Sequence, residues 1–117
     1  MSYQDLTIGR YSEMGRAYSL TMVTDKRIPH FNDFSKARFL INEMRVLHET
    51  GLLESLAWVL MPDHLHWLLI INNTELSEVV RIFKGKSSFD LKKSFHLNGV
   101  FWQRGFYDHA LRKEEDL

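Results

Sequence analysis

A chain of 117 residues is sized for one domain with a real core, and 44% hydrophobic with 26% charged residues is ordinary for a globular protein. It has no cysteine, which excludes disulfides, thiolate zinc sites and a thiol nucleophile. No apolar run approaches the roughly 20 residues that span a bilayer. Met1-Ser2-Tyr3-Gln4-Asp5 lacks the basic start and apolar stretch of a signal peptide, so a cytoplasmic location and no membrane partner are expected. The net charge of zero conceals segregation. Residues 1–80 hold 7 Lys/Arg and 10 Asp/Glu, residues 81–113 hold 8 Lys/Arg against Asp90 and Asp108, and Glu114-Glu115-Asp116 restore the balance. The basic third is either a solvated helix face or a phosphate-binding patch.

Residues 1–14 have no clear period and read as an arm of a single domain spanning 1–117. Residues 17–24 alternate and are rich in β-formers, which predicts a strand. A loop with Pro29 follows over 25–32. Asp33 or Ser35 can then cap a helix whose Phe34, Ala37, Leu40, Ile41, Met44 and Leu47 recur at helical spacing, ending at Glu49-Thr50-Gly51. Residues 55–60 predict a strand, Met61-Pro62-Asp63 a tight turn, and residues 64–71 a second strand. Thr74 is expected to cap the next helix in capping-box style with Ser77 and Glu78. That helix buries Leu76, Val79, Val80, Phe83 and Ser87 and runs to about Phe95. Asn98-Gly99 is a turn, and residues 100–102 and 106–112 read as strand-like segments. The order β-α-β-β-α-β predicts an α+β, ferredoxin-like sandwich: an antiparallel sheet with two helices on one face.

In a strand, residues i and i+2 share a face, so His64 and His66 are neighbours whose imidazoles can converge on one divalent ion. Leu65, Trp67, Leu69 and Ile71 then face the helices. The bland alternative is that each histidine only hydrogen-bonds in a half-buried sheet. Two histidines do not complete a metal shell, so a third ligand must come from elsewhere.

Met61-Pro62-Asp63-His64-Leu65-His66-Trp67-Leu68-Leu69 resembles the HUH motif (His, hydrophobic, His) of single-tyrosine transposases. Residues 79–87 and 102–112 resemble the REP-associated branch of that insertion-sequence-200-like family, and the 18–24 strand and 27–31 loop fit as well. The resemblance runs from about Arg10 through most of the chain. It implies a DNA transposase or HUH endonuclease that binds hairpins in single-stranded DNA and cleaves beside them by metal-assisted tyrosine attack. It also implies that His64 and His66 hold the cation, Mg²⁺ or Mn²⁺, that a homodimer is possible, and that the protein is nucleoid-associated. In the family the nucleophilic tyrosine sits on a helix after the Ala-Leu-Arg strand, with an amide ligand four residues later. Both are expected beyond Leu117, so this form is expected to be inactive alone. The alternatives are a catalytically inactive hairpin-binding module and a metal-binding domain acting on a small molecule.

Within this resemblance Arg81, Lys84, Lys86, Lys92 and Lys93 are placed to neutralise phosphates, and Ser87 and Ser88 to hydrogen-bond them. Gly85 in mid-helix costs about 1 kcal/mol relative to Ala, which suggests close approach of DNA or of another element. Trp102, Gln103 and Arg104 suit stacking on an unpaired base, or Trp102 plugs the core edge. Tyr107 is a fallback nucleophile, more simply read as packing. Asp108 and His109 are candidate third ligands, with a salt bridge from Asp108 to Arg104 or Arg112 as the plainer role.

Overall fold

The computed structural model describes residues 15–111. The arm expected over 1–14 and the chain from Arg112 onward, with the Asp108–Arg112 salt bridge, lie outside them. The elements are β1 (Ala17–Val23), α1 (Phe34–Glu49), β2 (Leu53–Met61), β3 (His64–Ile71), α2 (Leu76–Phe95) and β4 (Tyr107–Ala110). The four strands form one antiparallel sheet in the order β2-β3-β1-β4. This is the expected ferredoxin-like α+β sandwich.

Period-two alternation assigns the two faces. Tyr18, Leu20 and Met22 of β1 and Leu65, Trp67, Leu69 and Ile71 of β3 are fully buried with Leu40, Met44, Val79, Phe83 and Leu91 of the helices. Each large side chain buried there stabilises the fold by about 1.5–3 kcal/mol. The helices begin differently. Asp33 caps α1, its carboxylate accepting from Ser35 N at 2.9 Å and Lys36 N at 3.4 Å. The cap of α2 is Glu75, not the expected Thr74, and it makes no side-chain cap bond. Glu78 does not close a capping box either; its carboxylate takes Arg81 in a bidentate pair at 2.6 and 2.9 Å. With Leu76, Val79 and Val80 buried, packing fixes where this helix starts.

Residues 100–102 do not form a strand. They contribute one isolated bridge, Thr24 to Trp102, before β4 begins. Trp102 closes the core edge at 5% exposure: its Nε1 donates to Ser87 Oγ at 3.0 Å, and that hydroxyl donates to Phe83 O at 2.6 Å. Buried polar groups on both residues are thereby satisfied by each other. Between the helices, Glu43 is buried at 8% exposure, with Lys86 Nζ 3.6 Å from its Oε1 and 2.6 Å from Asp90. At the opposite margin, β2 is an edge strand bearing exposed Leu56, Trp58, Val59 and Met61, with a register shift between Ser55 and Ala57. Among the described residues no helix is long and apolar enough to cross a membrane.

Candidate metal and nucleic-acid site

His64 and His66 lie where the alternation puts them, on the sheet face away from the helices. Their ring centroids are 4.6 Å apart and their planes nearly perpendicular, at 85°. They sit at the start of β3, straight after the Pro62-Asp63 turn. That turn is pinned by the loop after β1: Thr24 N and Oγ1 donate to Asp63 O at 2.9 and 3.1 Å, and Phe31 N donates to Pro62 O at 3.0 Å. Within that loop Lys26 and Arg27 are left-handed at φ 56° and 52°, a conformation costing a non-glycine residue about 1 kcal/mol or more. The strained turn delivers the Arg27 guanidinium to Asp63 Oδ2 at 3.2 Å.

Each imidazole has its Nδ1 engaged. His64 Nδ1 is 2.7 Å from Asp63 Oδ1, and His66 Nδ1 is 2.9 Å from Thr21 Oγ1, its cross-strand neighbour. An ionised carboxylate only accepts, so His64 donates from Nδ1, an arrangement that in a neutral ring puts the lone pair on Nε2. Thr21 can accept from His66 in the same tautomer. A carboxylate orienting a histidine through Nδ1 is the usual outer support of a metal-binding imidazole. The His64 bond, and after it the Arg27 guanidinium, hold the Asp63 carboxyl below its ordinary value. Burial, then repulsion from His64, lowers His66, which favours the neutral ring that binds metals. The residues present therefore fit a divalent cation as two of its ligands. Among the described residues no third His, Asp or Glu joins them in a metal-binding group.

Asp63, Thr21 and Arg27 are the site residues that the motif alone does not reveal. Asp63 stands next to His64 in sequence, and that adjacency was the available signal. Thr21 and Arg27 come from other elements and depend on register and loop conformation.

The candidate DNA contacts scatter. Arg81, Lys84, Lys86, Lys92 and Lys93 ride on α2, on the far side of the sheet from the histidines. Arg81 pairs with Glu78, Lys86 with Asp90, and Lys92 Nζ donates to Gly99 O at 3.0 Å. Lys84 caps the 103–105 turn, donating to the carbonyls of Gln103 and Gly105, and burial lowers its pKa. Ser87 and Trp102 are structural in this chain; their mutual hydrogen bond lies in the core, where neither phosphate nor base can reach. Gln103 and Arg104 are exposed, and Gln103 N bonds Val23 O at 2.8 Å, which brings this turn to the histidine end of the sheet. Nothing lies within 4 Å of a Cβ added at Gly85, so no described element makes the close approach expected there. Tyr107 is not packed: it is 64% exposed on the histidine face, in register with Thr21. A cavity of about 170 Å³ between the helices, lined by Val46, Leu47, Ile82, Phe83, Glu43 and Lys86, is remote from the histidines.

Two solved structures share this architecture. A candidate transposase from Deinococcus radiodurans R1 superposes with a TM-score of 0.73 at 22% identity, over 88% of this chain and 85% of that one. A REP-associated tyrosine transposase bound to a REP hairpin gives 0.73 at 23% identity, over 99% of this chain and 66% of that one. At these identities the likeness speaks for the fold. No curated protein matches. The family model described as "Transposase IS200 like" matches residues 14–115. That span takes in both histidines, the Pro62-Asp63 turn and all four strands, and the chain belongs to the IS200-like transposase family.

Proposed function

We propose that the protein binds hairpin-forming single-stranded DNA and supports transposition by metal-assisted phosphodiester cleavage on the His64–His66 face. The observation that carries this reading is the adjacency of the two imidazoles, their centroids 4.6 Å apart and each engaged at Nδ1, which leaves the Nε2 of each for a ligand. A Mg²⁺ or Mn²⁺ ion bound there would supply Lewis-acid polarisation of a phosphate oxygen. His64 and His66 hold two of its positions, Asp63 and Arg27 fix the His64 ring, and Thr21 fixes that of His66. The attacking group in this reading is a tyrosine from sequence outside these 117 residues. Its oxygen bonds to phosphorus, the P–O3′ bond breaks, and the proton passes to the departing 3′-oxygen, leaving a 5′-phosphotyrosine. Support for the DNA partner comes from the family and from the hairpin held by one solved relative of the fold.

The test is a Mn²⁺ titration followed by calorimetry, with gel-shift assays on hairpin and duplex DNA. Wild-type protein is expected to bind Mn²⁺, and His64→Ala or His66→Ala to weaken that binding at least tenfold. Undiminished Mn²⁺ affinity in both variants sinks the metal assignment. Equal affinity for duplex and hairpin-bearing single strands sinks the DNA assignment. A covalent DNA adduct formed by these 117 residues would show that the nucleophile lies within them.

A further inference from the structure

The histidine face carries a second set of rings. Tyr107 and His109 occupy alternate positions of β4, and their register against Thr21 and Ser19 puts both on the face that holds His66. Tyr107 stands in one row with Val59, His66 and Thr21 across all four strands. It is 64% exposed, and His109 is exposed beside it. The Tyr107 side chain makes no hydrogen bond, ion pair or ring contact with another described residue.

Two spacings fit a nucleic-acid strand. Residues i and i+2 of an antiparallel strand are roughly 6.8 Å apart, about twice the 3.4 Å step between stacked bases, so one base fits between two such rings. From His66 to Tyr107 the sheet spans two inter-strand spacings, roughly 9.6 Å, a reach of one or two nucleotides. Exposed Lys26, Arg27 and Arg104 stand at the histidine end of the sheet, where a backbone running onto the His pair would pass. Aromatic side chains on an open sheet beside cations are the general means of holding unpaired bases without reading their sequence.

We infer that Tyr107 and His109 form a stacking platform for unpaired bases flanking the phosphate that lies on the His64–His66 pair. This rests on the DNA-binding reading above. It makes Tyr107 a substrate-positioning side chain, with its ring, and not its hydroxyl, as the working part.

The test compares a fluorescently labelled blunt hairpin with the same hairpin bearing a short single-stranded flank, using the 117-residue protein. Tyr107→Ala is expected to weaken binding of the flanked hairpin about tenfold and of the blunt hairpin less than about twofold, with Tyr107→Phe close to wild type on both. His109→Ala is expected to act in the same direction. A flank carrying 5-iodouracil is expected to crosslink to β4. Equal losses on both DNAs, a Phe variant that behaves like Ala, or crosslinks confined to α2 would overturn the platform. A covalent adduct lost in Tyr107→Phe would overturn it too, by making the hydroxyl the working group. If the wild type binds the blunt hairpin and gains nothing from the flank, the platform falls alone. If it binds neither, the DNA reading falls and the platform with it. Tyr107 is exposed, so far-UV circular dichroism is expected to match wild type in every variant.

Discussion

The two faces of the sheet are made from alternate residues of the same strands, and they have been put to opposite uses. On the helix face, Leu65, Trp67, Leu69 and Ile71 lie under α1 and α2, and even the polar groups there, Trp102 Nε1 and Ser87 Oγ, satisfy one another. On the other face, the residues interleaved with them, His64 and His66, point their polar edges at Asp63 and Thr21 and leave one nitrogen each for something outside. Parity in β3 therefore separates side chains packed under the helices from those that face outward.

The sharpest way to break that comparison is to cut into the buried face. Trp67→Ala or Trp102→Ala is expected to cost about 3–5 kcal/mol, read as a lower urea midpoint. The paired substitutions on the open face, His64→Ala and His66→Ala, are expected to change stability by less than about 1 kcal/mol while weakening Mn²⁺ binding at least tenfold. If the histidine variants unfold as readily as the tryptophan ones, the division fails. Next in size, Asp63→Ala leaves both imidazoles in place but unties His64, and is expected to weaken Mn²⁺ about tenfold to a hundredfold by calorimetry. An unchanged affinity would mean that the carboxylate does not orient the ring. Ser87→Ala strands Trp102 Nε1 in the core, and a loss of about 1–3 kcal/mol in urea unfolding is expected, with Mn²⁺ affinity untouched.

The smallest effect concerns pH. Burial first, and then the neighbouring Asp90 carboxyl, hold the Glu43 carboxyl above its ordinary value of 4.5, against an opposing pull from Lys86. A raised folded-state value means that the protonated acid favours the fold. Its contribution is complete below 4.5 and fades as pH climbs through the folded value. Asp90, held low by Lys86, works in the opposite sense. Glu43→Gln is thus expected to raise the urea midpoint at pH 7, with the advantage shrinking toward pH 4. A constant advantage across that range would show that Glu43 is not titrating in the fold.

Much of this was legible in the chain. The nearly all-apolar run of residues 64–71 after a Pro-Asp turn reads as a strand, whose period of two then sets its faces and pairs the histidines. Asp33, one of two candidate caps, and Gly51 mark the ends of α1. What could not be read depends on contacts distant in sequence. Trp102 was divided between base and core because its partner, Ser87, lies 15 residues away on a helix. Thr74 has the right chemistry for a cap, but burial of Leu76 and Val79 sets the start of α2 one residue later. The lysines of that helix suggested a single patch beside the site, whereas the topology sends them across the sheet and spends Lys84 on a turn. Tyr107 reads as a packing residue until the register of β4 shows which way it points.

The unequal settings of the three tryptophans have a practical consequence. Trp67 donates to Ser55 Oγ at 2.8 Å and Trp102 to Ser87, both buried, while Trp58 on the edge strand is 43% exposed. Acrylamide quenching of the native protein should therefore report on Trp58 almost alone, with the other two emitting as an internal reference. Whatever comes to lie along β2, a second chain or a strand of DNA, can be followed by the loss of that quenching without attaching a label.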